Sequence, residues 1–145
     1  MKTQPHFKIV ILEDNDFYNK LMTKYLNNYI QPIALIKAFT FEINSFTNYS
    51  DCARNFDNET TVVISDYYLN DGYSALNMID LVRTRVSKCK VVVLSQIENM
   101  NTATRTLLEG ACEFIHKDSK ALEKSAYIIE EIIFQNLKNN FREAS

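Results

Sequence analysis

The 145-residue sequence predicts an α/β fold, a doubly wound, five-stranded parallel sheet carrying five helices. Three observations carry that prediction. Short runs of β-branched residues, clearest at Val62, Val63 and Ile64, have the unbroken apolar character of strands buried on both faces of a parallel sheet. They alternate with segments whose apolar residues recur at a spacing of about 3.6, the mark of helices lying on such a sheet. Four of the five runs end in acidic, hydroxyl or basic residues, at the carboxyl edge where open α/β sheets bind ligands.

Phe7–Leu12 is the first strand, and it ends in Glu13 and Asp14. Asn15 or Asp16 can cap a helix with apolar positions Phe17, Leu21, Tyr25, Leu26 and Tyr29. Pro32 disfavours helical geometry in the residue ahead of it and is expected to end that helix. The second strand falls near 41–47, where Phe41, Ile43, Ser45 and Thr47 alternate with Glu42, Asn44 and Phe46; residues 33–39 read as that strand instead, or as a helical extension. Asn48 with Asp51 resembles a capping box opening a short helix to about Phe56. The polar turn DNET leads into the third strand, 61–65, which Asp66 closes, and Asp71 and Gly72 follow in a turn.

Ala75, Ile79, Val82 and Val86 mark one face of the third helix, and Val91–Leu94 is the fourth strand, ending at Ser95. A fourth helix spans about Asn99 to Glu109 and stops at Gly110, a usual residue for the left-handed position past a helix. Cys112–His116 is the fifth strand and ends at Lys117. Ser119 can cap the last helix, whose face holds Leu122, Ala126, Ile129, Ile133 and Leu137, and residues 139–145 are expected to fray. Tyr127, Ile128 and Ile132 broaden that face and leave room for a partner surface.

The length suits one domain, 1–145, with a core of about 7–137. A net charge of −2 with scattered basic residues leaves no electrostatic footprint for nucleic acid or an anionic membrane. Cys52, Cys89 and Cys112 are odd in number and lack any CxxC pairing, which argues against disulfides or zinc and for small core residues in a reducing, cytoplasmic setting. The first ten residues lack the apolar core of a signal peptide, and no membrane-length apolar run is present. His6 reads as a tail histidine and His116 as a strand residue.

The chemistry lies at the strand ends. In a parallel sheet all carboxyl ends share one edge, so Glu13, Asp14, Asp66, Ser95 and Lys117 converge although they are far apart in sequence. Clustered carboxylates repel one another unless a cation sits among them, and Mg²⁺ suits hard oxygen ligands beside a phosphate. An aspartate oxygen can attack phosphorus while metal and lysine charge neutralise the transferring group. Ser95 offers a hydroxyl and Lys117 an ammonium for its oxygens. Taken alone, Asp66 reads more readily as a turn-forming aspartate, and Glu13 and Asp14 as acids favouring a helix N-terminus, a role compatible with metal binding.

On these residues the chain resembles a receiver domain of the two-component response regulator family, from about Phe7 to Leu137. The matching pieces are ILEDN, VVISDYYLNDG, VVVLS and GACEFIHKD, and the Ser95 to Lys117 spacing is the family's usual one. The resemblance implies the flavodoxin-like strand order 2-1-3-4-5. It implies that Asp66 is phosphorylated by a histidine kinase or histidine phosphotransfer protein. Glu13, Asp14 and Asp66 would hold Mg²⁺ together with the main-chain carbonyl of Tyr68. Lys117 would bind the phosphoryl group, with Ser95 and Phe114 as the switch pair. The implied output is a small shift around the fourth helix, fifth strand and fifth helix, read by a downstream protein target. With no DNA-binding or enzymatic domain after the last helix of this sequence, the expectation is a stand-alone receiver or phosphate shuttle, promoting only its own phosphorylation and dephosphorylation, unless the chain is an excised piece of a longer protein.

Several positions depart from the family pattern. Asp118 stands where proline is usual, which puts the cis peptide common there in doubt; without proline that bond costs about 2.5–4 kcal/mol. The acceptor loop is short and lacks its proline, and the first connection is long. Gln96 and Tyr68 are bulky and are expected to crowd the phosphoryl site. Competing readings fare less well. An aspartyl-phosphate phosphatase of the haloacid dehalogenase type needs a second aspartate two residues on, where this chain has Tyr68. A glycine-rich nucleotide loop cannot be built from Gly72 and Gly110. A phosphorylation-independent interaction module remains the alternative.

Overall fold

The computed structural model describes residues 4–85 and 88–144. Its elements are β1 (His6–Leu12), α1 (Asp16–Lys37), β2 (Thr40–Phe46), α2 (Tyr49–Arg54), β3 (Thr60–Asp66), α3 (Ala75–Arg85), β4 (Lys90–Ser95), α4 (Met100–Glu109), β5 (Glu113–His116) and α5 (Ala121–Ala144). The strands pair in the order β2-β1-β3-β4-β5, and every pairing is parallel. This is the order that the sequence reading implies.

The apolar runs split between two cores because successive strand residues face opposite sides of the sheet. Ile9, Ile11, Val62, Ile64, Val92 and Leu94 meet Met22, Leu26 and Ile30 of α1 and Ala126, Ile129 and Ile133 of α5. Val10, Leu12, Val63, Val91 and Val93 instead meet Cys52 and Phe56, together with Met78, Ile79 and Val82 of α3. β2 is an edge strand with no fully buried residue, which explains its weak apolar signal.

The largest correction concerns α1, which continues through Pro32 to Lys37. Proline removes one backbone hydrogen bond from a helix, but packing on both sides of it holds the helix together. Ile30 and Ala34 are buried, Ile33 packs on the same core, and the Tyr29 hydroxyl donates to Glu130 of α5 at 2.8 Å. The helix stops at Ala38, whose φ of 58° and ψ of 52° are left-handed. The Phe39 amide then reaches back to the Ala34 carbonyl at 3.1 Å, a Schellman closure made without glycine. Of the two readings of 33–39, helical extension is the one observed.

The buried face of α1 also differs from the expected one. It comprises Asn19, Met22, Leu26, Ile30 and Ala34, whereas Phe17 is 76% exposed and Leu21 lies at the surface. At the other end of the chain, α5 runs to Ala144 instead of fraying from 139, since neither glycine nor proline interrupts the segment. At its entry Asp118, not Ser119, accepts a backbone hydrogen bond, from the Lys120 amide at 2.9 Å. His6 belongs to β1, with its ring nitrogens bonded to Thr40 and Glu42. Cys112 is exposed, unlike buried Cys52 and Cys89, because it precedes the short β5. Val86 lies outside the described residues. No helix among them is long and apolar enough to cross a membrane.

Candidate functional site

The sheet brings together residues from four strand ends, and its hydrogen bonds continue far enough beyond the strands to place them. The Glu13 amide donates to the Phe46 carbonyl at 3.0 Å, that of Tyr67 to Leu94 at 2.8 Å, and that of Lys117 to Ser95 at 2.8 Å. Buried Asn19 adds a tie, its side-chain amide donating to the Glu13 and Phe46 carbonyls at 3.0 and 2.9 Å. Glu13, Asp14 and Asp66 therefore cluster, each with a carboxylate oxygen within 4.8 Å of the others.

Lys117 joins this cluster across 104 positions of sequence, hydrogen-bonded to Glu13 Oε1 and 3.2 Å from Asp66 Oδ1. Glu13 is 2% exposed, and its other oxygen accepts the Asn15 amide at 3.1 Å. Burial, followed by the Glu13 charge, pushes the Asp66 carboxyl up to about 7 despite the opposing pull of Lys117. Burial works against the charge on Lys117, but its hydrogen bond to Glu13 and the Asp66 charge raise its pKa overall. Three acids with one ammonium among them form an incompletely neutralised cluster, a donor set that fits a hard divalent cation.

The cluster opens into a cavity of about 610 Å³, lined also by Asn70 and Ile97. Tyr68 and Gln96, the bulky residues of the sequence reading, also line it, and Tyr68 is 53% exposed. The loop after Asp66 folds back through a Tyr68–Ser74 bridge and is fastened to α2. There Asp71 accepts the Tyr49 amide at 3.2 Å, and the Tyr49 and Tyr73 rings stack with centroids 4.4 Å apart. Gly72, at φ 84°, makes the turn that this return requires.

Ser95 stands at the end of β4 as expected, but its hydroxyl is turned into its own loop, donating to the Ile97 carbonyl and accepting the Ile97 amide, both at 3.1 Å. Phe114 is half-buried, edge-on to the Tyr67 ring at 6.3 Å. No peptide bond among the described residues is cis, so the Lys117–Asp118 bond is trans. Two site residues escaped the sequence reading. Asn19 looked like any polar position of a helix, and Tyr18, whose ring lies against Lys117, carried no motif.

No protein-family model matches the sequence, and no curated protein matches it in a sequence comparison. Solved structures match its three-dimensional form. A signal receiver domain of a LuxO-type repressor protein from Vibrio parahaemolyticus superposes with a TM-score of 0.72 at 15% identity, covering 96% of this chain and 98% of that one. A Burkholderia pseudomallei response regulator, solved with a phosphorylated aspartic acid, a calcium ion and citrate, gives 0.62 at 15% identity over 92% of this chain and 75% of that one. The response regulator DrrB of Thermotoga maritima, an OmpR/PhoB homolog, gives 0.69 at 16% identity; 90% of this chain is covered but only 54% of DrrB, so the chain spans about half of that regulator. At such identities the likeness establishes architecture. With five parallel strands in the order 2-1-3-4-5 and five helices, the chain has the receiver-domain fold of response regulators.

Proposed function

We propose that this chain is a phosphoaccepting receiver in which Asp66 takes a phosphoryl group from a histidine kinase or histidine phosphotransfer protein. The observation that carries the reading is the Lys117 ammonium held between Glu13 and Asp66 at the edge of the sheet. An Asp66 oxygen attacks phosphorus, the donor's P–N bond breaks as the new P–O bond forms, and the histidine leaves as neutral imidazole once protonated. Glu13, Asp14, Asp66 and the Tyr68 carbonyl would hold Mg²⁺, which neutralises charge on the transferring group when bound. Lys117 contributes a second positive charge to the phosphoryl oxygens.

Ser95 gives up its bonds to Ile97 and donates its hydroxyl to a phosphoryl oxygen. Phe114 follows into the space so opened, and α4, β5 and α5 shift to a second arrangement that a protein target reads. The site turns over no external substrate in this reading.

Incubation with Mg²⁺ and acetyl phosphate, followed by intact mass measurement, tests it. A base-labile phosphoryl adduct is expected in the wild type and its loss in Asp66→Asn. A wild type that takes no phosphoryl group from acetyl phosphate or from a histidine kinase contradicts the assignment.

A further inference from the structure

The first turn of α1 carries an aromatic residue that the acceptor chemistry above does not use. Tyr18 is half-buried, and its amide is held by the Asn15 side chain at 2.8 Å. The centre of its ring lies 4.8 Å from Lys117 Nζ. This is inside the roughly 6 Å over which an ammonium is attracted to an aromatic face. The Lys117 side chain is only 7% exposed, so little water screens the attraction. The Tyr18 hydroxyl, by contrast, is buried with no hydrogen-bond partner among the described residues. The contact with Lys117 is made through the face of the ring.

We propose that Tyr18 is a positioning residue for Lys117, its ring forming a third contact on the ammonium beside the Glu13 and Asp66 carboxylates. The inference rests on the receiver reading. Two carboxylates alone would hold a flexible lysine wherever their charge is greatest, and that balance changes as soon as Asp66 carries a phosphoryl group. An uncharged ring is unaltered by the reaction. It keeps the ammonium beside Asp66 without competing for the donors that the phosphoryl oxygens need.

The test compares Tyr18→Phe, which keeps the ring, with Tyr18→Leu and Tyr18→Met, which fill the space without one; any of the last two that folds by circular dichroism suffices. Adduct formation with Mg²⁺ and acetyl phosphate is timed by mass, Mg²⁺ affinity is measured, and the ε-methylene signal of Lys117 is followed by NMR. Wild type and Tyr18→Phe should share an upfield, ring-shifted ε signal and form adduct within about twofold of each other. The aliphatic variants should lose that shift and slow adduct formation by about tenfold at unchanged Mg²⁺ affinity.

Wild-type kinetics in an aliphatic variant would overturn the positioning role, as would equal slowing in Tyr18→Phe, which would move the role to the hydroxyl. If the wild type itself forms no adduct, the receiver reading is what fails. The NMR arm then still decides whether ring and ammonium are in contact, an unshifted wild-type signal overturning that contact.

Discussion

The Asp66 carboxyl is held near neutral by burial and by the charge of Glu13, and this has consequences of definite sign. In the proposed function a divalent cation would bind the ionised carboxylate, so below about pH 7 loading the site would expel a proton. Mg²⁺ affinity is expected to climb by about tenfold per pH unit up to that point and to level above it. Calorimetry in buffers of different ionisation enthalpy would register the released proton. Stability of the metal-free protein moves the other way. The folded-state value lies above the roughly 3.9 of an unfolded aspartate, so the folded protein holds this proton more tightly. The contribution is complete below about pH 4 and is lost as pH rises through about 7. Asp66→Asn should remove that slope from the urea midpoints; an unchanged slope would assign it to other groups.

The residues behind this behaviour were legible from chemical type together with their places at the strand ends. Glu13, Asp14, Asp66 and Lys117 are expensive to bury, and a sheet edge is where such groups find one another. Tyr18 and Asn19 were not legible. A tyrosine and an asparagine in a first helical turn acquire a role only from where that turn docks, and nothing local encodes the docking.

Among the elements, α1 is where local rules and tertiary packing disagree. Proline and the preceding-residue restriction predict a stop, but apolar surface on both sides of Pro32 is buried against the sheet and α5, and the helix runs on to Lys37. Its end is then forced into left-handed backbone at an alanine. Ala38→Gly should relieve that conformation and raise stability by about 0.5–1 kcal/mol, seen as a higher urea midpoint at unchanged slope. A lower midpoint would mean that the Ala38 methyl contributes more than the backbone strain removes. The same helix shows why face assignment is fragile. Phe17 and Leu21 are apolar and helically spaced, yet they lie one position off the buried stripe of Met22, Leu26, Ile30 and Ala34.

Across the whole molecule, stability comes from two apolar layers separated by a sheet buried on both sides, and α5 is a principal cover of one of them. Ile129 lies at its centre with 0% exposure, so Ile129→Ala should destabilise the protein by about 2–5 kcal/mol. Tyr127, on the same helix but 57% exposed, should change stability by less than about 0.5 kcal/mol on truncation to alanine. Chemical denaturation of the two variants side by side checks this, and similar losses in both would contradict the assigned face of α5.

The strand runs, their alternation with helices and the residue types at strand ends were determined by sequence, because they rest on side-chain chemistry and short-range periodicity. Tertiary structure alone decided the extent of α1, the exposure of Cys112, the inward turn of the Ser95 hydroxyl and the contact of Tyr18 with Lys117. Each of these depends on the free energy of packing against residues distant along the chain, which can exceed a local preference and leaves no trace in the neighbouring sequence.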